Sequence, residues 1–470
     1  MAIQFGTEGW RAIMAEEFTA ANVAVVVQAI ADHYRQTRGP AAPNLVVGYD
    51  PRFLSDRFAQ VVAEVFAGNG LRSVLSDRIV PTCAVSRYIV AHRLTAGVMI
   101  TASHNPAVYN GLKIKEAFGG SASPETVASI ERRLGKRPVH RLPLAQGLKQ
   151  GLVRSANLLP DYLAGIKRAV NLSAIRRRRL SVVVDSMHGA GDDLTEQLLK
   201  GGSCRVETLH GARDPLFGGQ APEPIGSHLA ELSKTVTRRK AHIGLATDGD
   251  ADRIGVIGPD GSFVTPGKIL CIIVEHLLKT RRWTGAVVKT ISNTSMIDRL
   301  AQAHGLKLYE TPVGFKHVAK LMLEDNVLAG GEESGGIGVQ GYLPERDGIF
   351  LGLLVLEAMA TQRRSLAELL KDLERRFGRW AYARRDLTVA PEQVERVFRR
   401  LTDQPPAEMA GVAIARVKTL DGVKLIGRDE SWLLFRRSGT EPIVRVYAES
   451  PAAARVKGLL AFGVKLVQRA

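Results

Sequence analysis

Gly97-Val98-Met99-Ile100-Thr101-Ala102-Ser103-His104-Asn105-Pro106, followed by Tyr109-Asn110-Gly111-Leu112-Lys113, is the stretch on which the reading of this chain turns. The apolar run at 97–100 is short and bounded like a buried strand, and an Asn-Pro turn closes the polar segment behind it. Open α/β sheets hold their ligands beyond the carboxyl ends of the strands. Ser103 is therefore predicted at a strand's carboxyl end, where a hydroxyl is displayed to a ligand. A lone serine in such a setting is more often a cap or turn residue than a nucleophile, so its chemistry has to be decided by other segments.

Working outward, runs of the same kind recur at Leu45–Asp50, Ser181–Asp185, Ile243–Thr247 and Ala286–Thr290, separated by helical stretches. Alternation of this sort means α/β layers. Each run precedes a Gly- or Asp-rich turn, which makes a loose repeat at the scale of a domain. A chain of 470 residues exceeds one core, and domains of about 100–200 residues imply three or four of them. The helical segment Leu366–Arg376 runs out at Gly378, which predicts the last boundary near Phe377-Gly378-Arg379-Trp380. The polar Thr402-Asp403-Gln404-Pro405-Pro406 then falls inside the final domain.

Three further clusters carry chemistry. Asp248-Gly249-Asp250-Ala251-Asp252-Arg253 sets three carboxylates at alternate positions with small residues between, so that a tight loop turns them to one point. Hard oxygen ligands in that arrangement suit Mg²⁺, which keeps positions open for a phosphate oxygen. A calcium loop of the EF-hand kind is excluded, because its sixth position would be Arg253 and its twelfth Pro259. An acidic surface turn is the plain alternative. Gly330-Gly331-Glu332-Glu333-Ser334-Gly335-Gly336 joins close backbone approach to carboxylate and hydroxyl groups, as a reader of sugar hydroxyls needs, although such loops are commonly only loops. Arg436-Arg437-Ser438-Gly439-Thr440-Glu441-Pro442, with Arg445 nearby, offers guanidinium forks, hydroxyls and backbone N–H groups that match a phosphate dianion. A solvated basic turn is the rival reading there.

In this order and at this spacing, the four segments resemble the α-D-phosphohexomutase superfamily over essentially the whole chain. Phe5-Gly6-Thr7-Glu8-Gly9-Trp10-Arg11 and the Gly-Glu-Glu-Ser loop are similar to its phosphoglucomutase/phosphomannomutase branch, whereas phosphoglucosamine mutases usually carry Gln in place of Glu333. The resemblance implies three successive α/β domains with mixed sheets, plus a smaller C-terminal α+β domain, around a central active-site cleft. The expected boundaries are 1–155, 156–258, 259–376 and 377–470. It implies that Ser103 is the phosphoserine of the resting enzyme and binds Mg²⁺ together with Asp248, Asp250 and Asp252. Arg11, Lys113 and Arg253 would surround the transferred phosphoryl group, Glu332 and Ser334 would read O3 and O4 of the sugar, and Arg436, Ser438, Gly439 and Thr440, with Arg445, would clamp the other phosphate. Thr311-Pro312-Val313-Gly314-Phe315-Lys316-His317 resembles a third-domain loop in which Lys316 contacts sugar or phosphate.

The implied reaction interconverts hexose 1-phosphate and hexose 6-phosphate, with glucose favoured by the Glu-Glu-Ser form and mannose as the alternative. Phosphoserine gives its phosphoryl group to the sugar, the bisphosphate turns end for end, and the other phosphate returns to Ser103. Glucose 1,6-bisphosphate is then both intermediate and activator. Lys113 is the first candidate for general base, on the argument that a lysine among positive groups has a lowered pKa; His104 is the second, although a loop histidine more often fixes geometry. Relatives often have a histidine before Pro344, where this chain has Gly341-Tyr342-Leu343. That leaves the second proton-transfer partner open, with Arg346 a basic candidate.

Composition bounds the remaining choices. Apolar residues at 45% and charged residues at 24% describe an ordinary globular chain. Cys83, Cys204 and Cys271 are sparse and unpaired in spacing, which predicts buried thiols in a reducing cytosol. No run reaches the ~20 apolar residues of a membrane span, and the amino terminus lacks a signal pattern, so a cytoplasmic protein without a membrane partner is expected, monomeric or homodimeric. The net charge of +17 favours phosphorylated small molecules near the cleft. Nucleic-acid binding would need basic residues interleaved with stacking aromatics, and aromatics are only 6% of the chain. Arg176-Arg177-Arg178-Arg179 is read as a solvated linker face. The remaining enzymatic rival is a Mg²⁺-dependent phosphatase acting through Ser103.

Overall fold

Runs of apolar and β-branched residues buried on both faces form the parallel hearts of three successive sheets, as expected of layered α/β proteins. The computed structural model describes residues 3–6, 8–37, 44–437 and 443–469. The first sheet contains β1 (Trp10–Ile13), β2 (Asn44–Tyr49), β3 (Arg72–Ser76), β4 (Ala96–Ile100), β5 (Tyr109–Glu116) and β6 (Val153–Ala156), in the order β1-β5-β4-β2-β3-β6. The second contains β7 (Ser181–Asp185), β8 (Arg205–Leu209), β9 (Ile243–Thr247), β10 (Ile254–Ile257) and β11 (Phe263–Val264), in the order β11-β10-β9-β7-β8. The third is β13-β12-β14-β15, built from β12 (Ala286–Thr290), β13 (Leu308–Thr311), β14 (Val327–Gly331) and β15 (Ile337–Val339).

One pattern underlies all three. In each, a parallel set of three or four strands is continued on one side by an antiparallel strand: β5 on β4, β10 on β9, and β15 on β14. The connection into that antiparallel strand is in each case a loop singled out in the sequence: 101–108 in the first sheet, 248–253 in the second and 332–336 in the third. Because the loops leave the carboxyl ends of equivalent parallel strands, the fold points them at a common space.

A single apolar core joins these sheets, running from Val46 and Met99 through Leu245 and Ile273 to Phe350 and Phe377. At its centre lies the helix Gly348–Thr361, apolar on every face except at Glu357, which is buried against His276 and Arg281. Its N-cap is Asp347, whose carboxylate accepts from Phe350 N at 3.0 Å and from the hydroxyls of Tyr162 and Tyr342, each at 2.9 Å. Burial raises the Asp347 carboxyl to about 6 despite these bonds. The helix Leu366–Phe377 begins at a Ser365/Glu368 capping box and stops at Gly378, whose φ of +86° is the left-handed value glycine supplies.

Beyond Gly378 the chain forms an all-antiparallel sheet, β16-β21-β20-β19-β18-β17, with a separate core under two helices, Pro391–Asp403 and Ala453–Gln468. Its strands are β16 (Ala381–Thr388), β17 (Glu408–Met409), β18 (Val412–Lys418), β19 (Val423–Gly427), β20 (Trp432–Arg437) and β21 (Ile443–Ser450). A polar seam ties it to the third sheet's domain. Trp432 Nε1 donates to Glu449 Oε2 at 2.8 Å and to Ser295 Oγ at 3.2 Å, while Ser295 N donates to the same carboxylate at 2.8 Å. Lys424 Nζ donates to Ile291 O at 2.6 Å and lies 3.9 Å from the Trp432 ring centroid. Burial, aided by Lys289, pulls that ammonium down to about 7. The three thiols are unpaired; Cys83 and Cys271 are buried as expected, but Cys204, just before the edge strand β8, is only half-buried. No helix of the described residues is long and apolar enough to cross a membrane.

Trp432→Phe keeps the ring near Lys424 but removes a donor from Glu449, whose Oε1 already lacks a partner. Losing a hydrogen bond to a charged group costs about 1.5–3 kcal/mol. Amide hydrogen exchange is expected to speed up in β19, β20, β21 and the 291–295 turn while β2 and β4 stay unchanged. A uniform change along the chain would show that the seam is not a separable unit.

Candidate active site

Ser103 leaves β4 with φ +52°, a left-handed conformation that a non-glycine residue occupies only when its surroundings hold it there. Its N–H donates to Thr101 Oγ1 at 2.8 Å, and its Oγ donates to Asp248 Oδ2 at 2.8 Å. The β9–β10 loop approaches so closely that a Cβ placed on Gly249 would lie 2.5 Å from Ser103 O. Glycine is required there by contact between two backbones.

The three aspartates are fully buried and bring one oxygen each within 4.8 Å of one another. Asp248 Oδ1 accepts the N–H groups of Asp252 and Arg253 at 2.9 and 3.0 Å. Asp250 Oδ1 and Asp252 Oδ1 are buried without any hydrogen-bond partner. Orphaned carboxylate oxygens beside a serine hydroxyl are the hard donor set that a divalent cation such as Mg²⁺ takes, so the residues fit a metal. Burial, reinforced by repulsion from Asp252 and Asp250, pushes the Asp248 carboxyl well above its ordinary value. Burial acts the same way on Asp250, but Lys113 and the Thr82 hydroxyl outweigh it and hold that carboxyl well below.

Lys113 overturns an expectation. Its Nζ donates to Asp250 Oδ2 at 2.6 Å and Asp252 Oδ2 at 2.8 Å, with Glu8 3.8 Å away. Burial pulls the ammonium down, yet these carboxylates more than reverse it, so its pKa is raised, not lowered. The argument from neighbouring positive groups left out the carboxylates supplied by the second domain. Arg346 needs a second correction: it is nearly fully buried and pairs with Glu8, with Asp252 at 2.7 Å and with Glu332 at 3.3 Å. Although burial opposes the charged form, that carboxylate cage holds the guanidinium protonated, so Arg346 takes up no proton. It joins residues of all three α/β units at one point.

Glu332 answers differently. Burial raises its carboxyl to about 7 even with Arg346 and Arg253 nearby. His104 Nδ1 lies 3.5 Å from Ser103 Oγ, and burial together with Arg253, Arg11, Lys113 and Arg52 keeps its imidazole neutral. Arg11 Nη1 donates to Asn105 Oδ1 at 2.6 Å. The Arg253 guanidinium lies 3.9 Å from Glu223. Glu333, beside Glu332, accepts from Ser292 Oγ at 2.5 Å and Thr290 Oγ1 at 3.2 Å, and Ser334 is half-buried in the same turn.

On the C-terminal sheet, Arg436 and Arg445 face each other across β20 and β21. Asp421 Oδ2 accepts from Arg436 Nε at 2.7 Å and from Val313 N at 2.9 Å, which links that sheet to the loop entering the helix Phe315–Glu324. Lys316 is half-buried in the first turn of this helix. Arg445 lies 3.7 Å from Asp386. Ser438, Gly439 and Thr440 lie outside the described residues. Four contributors were not singled out from the sequence: Glu8, Arg52, Thr82 and Glu345, which pairs with Lys115. Glu8 lies within a quoted motif and Glu345 stands between Pro344 and Arg346, both singled out; Arg52 and Thr82 carried no signal.

Comparison with known proteins agrees with this geometry. The chain matches the phosphoglucomutase/phosphomannomutase alpha/beta/alpha domains I, II and III over residues 2–139, 160–261 and 265–377, and the C-terminal domain of that family over 390–464. It is 31% identical over 468 residues to a phosphoglucomutase/phosphomannomutase of Thermococcus kodakarensis, covering 99% of this chain and 98% of that one. A probable phosphoglucosamine mutase of Pyrococcus abyssi is 31% identical over 470 residues, covering 100% and 99%. The crystal structure of a putative phosphomannomutase from Thermus thermophilus superposes with a TM-score of 0.87 at 34% identity, covering 100% of this chain and 99% of that one.

Glu332 yields a pH prediction for the protein free of metal and substrate. Its folded-state pKa of about 7 exceeds the ordinary 4.5, so the folded chain holds the extra proton between those values and stability falls as pH rises through that window. The loss attributable to this carboxyl is about 3 kcal/mol. Glu332→Gln is expected to gain that much over the parent between pH 4.5 and 8 in denaturant titrations; parallel pH profiles would contradict it.

Proposed function

The chain belongs to the phosphoglucomutase/phosphomannomutase family of isomerases, and from that premise we propose that it interconverts hexose 1- and 6-phosphates, glucose phosphates foremost, through a phosphoserine at Ser103. The observation that carries the reading is the Ser103 hydroxyl, buried at the strand end and hydrogen-bonded to an aspartate trio with orphaned oxygens. Ser103 Oγ, Asp248, Asp250 and Asp252 would hold Mg²⁺, which when bound supplies charge neutralisation on the phosphoryl oxygens.

In the first transfer the bond from Ser103 Oγ to phosphorus breaks, a bond from the sugar oxygen to phosphorus forms, the sugar's hydroxyl proton passes to a base, and Ser103 Oγ takes up a proton. The return transfer reverses these changes. Arg11, Arg253 and the protonated Lys113 supply positive charge around the moving group, where positioning and electrostatics do most of the catalysis. Two neighbours can exchange the Ser103 proton: Asp248 Oδ2 at 2.8 Å and the neutral His104 Nδ1 at 3.5 Å. Glu332 and Ser334 would read the sugar hydroxyls. Arg436 and Arg445, with Lys316 across the seam and Ser438, Gly439 and Thr440 next in the sequence, would hold the phosphate that is not transferred. Glucose 1,6-bisphosphate would prime Ser103 and serve as intermediate. Burial of Ser103 favours a mutase over a phosphatase, since water must be kept from the phosphoserine.

Glucosamine phosphate is a second reading, because the Pyrococcus abyssi relative is as similar as the Thermococcus kodakarensis one. The test is conversion of glucose 1-phosphate to glucose 6-phosphate with Mg²⁺ and a trace of glucose 1,6-bisphosphate. Ser103→Ala is expected to lower the rate ~10³-fold or more, and chelation is expected to abolish it until Mg²⁺ is restored. Turnover of mannose or glucosamine phosphates alone would reassign the sugar, and release of inorganic phosphate in place of isomerisation would reassign the reaction.

A further inference from the structure

Arg52 follows β2 in the turn Asp50-Pro51-Arg52 and is completely buried. A guanidinium offers five N–H donors in a fixed fork, and every one of them is used. Nε donates to Asp50 Oδ2 at 3.2 Å. Nη1 donates to the carbonyls of Pro106 and Tyr109 at 2.9 and 3.0 Å, and Nη2 to those of Ser103 and Asn105 at 2.7 and 2.6 Å. Four of the five acceptors are therefore main-chain carbonyls of the 103–109 loop, and one is Ser103's own. That loop has little ladder of its own, with Asn105 N bonded to Ala102 O and Tyr109 N to Pro106 O, each at 3.0 Å.

The second sheet's domain covers the other side of the fork. The Phe217 ring lies 4.8 Å from the Arg52 guanidinium carbon, and Arg213 Nε donates to Pro51 O at 3.0 Å. Asp50 completes the mount, accepting from Arg52 N at 3.0 Å and from Ser55 Oγ at 2.8 Å. A strained φ at Ser103 persists only where neighbours over-determine it. Four bonds from one rigid fork provide that determination.

We infer that Arg52, braced by Phe217, is the positioning residue that sets Ser103 Oγ for phosphoryl transfer. The inference rests on Ser103 being the phosphoryl carrier. Arg52 acts through the loop's carbonyls, so its loss disturbs the reacting geometry and leaves the sugar and distal phosphate contacts in place. A 1 Å misplacement of a reacting atom costs about 10²-fold in rate.

The test compares Arg52→Lys, which keeps the charge but has three donors, with Val397→Ala, a deletion in the separate C-terminal core, at matched loss of melting temperature. Arg52→Lys is expected to lower kcat about 10²-fold with KM within about threefold, and Val397→Ala to leave kcat near the parent's. Equal effects of the two variants, or a change confined to KM, would overturn the inference. If Arg52→Lys does not fold, Phe217→Leu decides: kcat several-fold lower at constant KM supports it, and unchanged kcat overturns it. Ser103→Ala is run beside them. Should that variant retain full activity, the phosphoserine reading itself fails; should it be inactive while Arg52→Lys is unimpaired, only the role of Arg52 falls.

Discussion

Three carboxylates shut away from water within 4.8 Å of one another cannot all ionise without opposite charge, and most of the central architecture answers that constraint. Asp248 yields by resisting ionisation, while Asp250 is held ionised by the Lys113 ammonium. Asp252 is shared between Lys113 and Arg346. Each cation is in turn balanced from another domain, Arg346 by Glu8 and Glu332 and Lys113 by Glu8. A divalent cation at the orphaned oxygens would add to this balance, which is why the same cluster can be both a structural junction and a metal site. Removing Lys113, which serves Asp250 and Asp252 together, leaves buried charge uncompensated, a cost of about 3–5 kcal/mol.

The repeated strand order explains how residues so distant in sequence converge. Each α/β unit sends one loop from the carboxyl end of its third parallel strand, and the three loops supply hydroxyl, carboxylates and a buried glutamate in turn. The backbone contact between Gly249 and Ser103 sets how near two of these loops come. The fourth unit adds its arginines across a hydrogen-bonded seam, and its Asp421 joins Arg436 to the loop before Lys316. Chemistry is thus assembled at domain edges, where small rotations change the site most.

Much of this was legible in the residues. The runs 181–185, 243–247 and 286–290 are strands with those bounds, since β-branched apolar residues buried on both faces leave little ambiguity. Alternate spacing placed the three aspartates on one loop. What could not be read was the identity of opposing groups. Lys113 looks like a lysine among positive charges until Asp250 and Asp252 arrive from 137 and 139 residues away. Glu8 and Arg346 meet across 338 residues, and four of the five acceptors of Arg52 are carbonyls, which no side-chain pattern encodes. Cys204 came out half-buried because it precedes the edge strand β8 and packs only against the rim of the main core.

The central claim is that Ser103 carries the phosphoryl group. Its most direct test is the intact mass of the protein after incubation with glucose 1,6-bisphosphate and Mg²⁺, with peptide mapping, followed by addition of glucose 1-phosphate. The account predicts a gain of one phosphoryl group located at Ser103 and its discharge onto the sugar phosphate. An unmodified chain, a phosphoryl group on another residue, or one that the sugar phosphate fails to remove would contradict it.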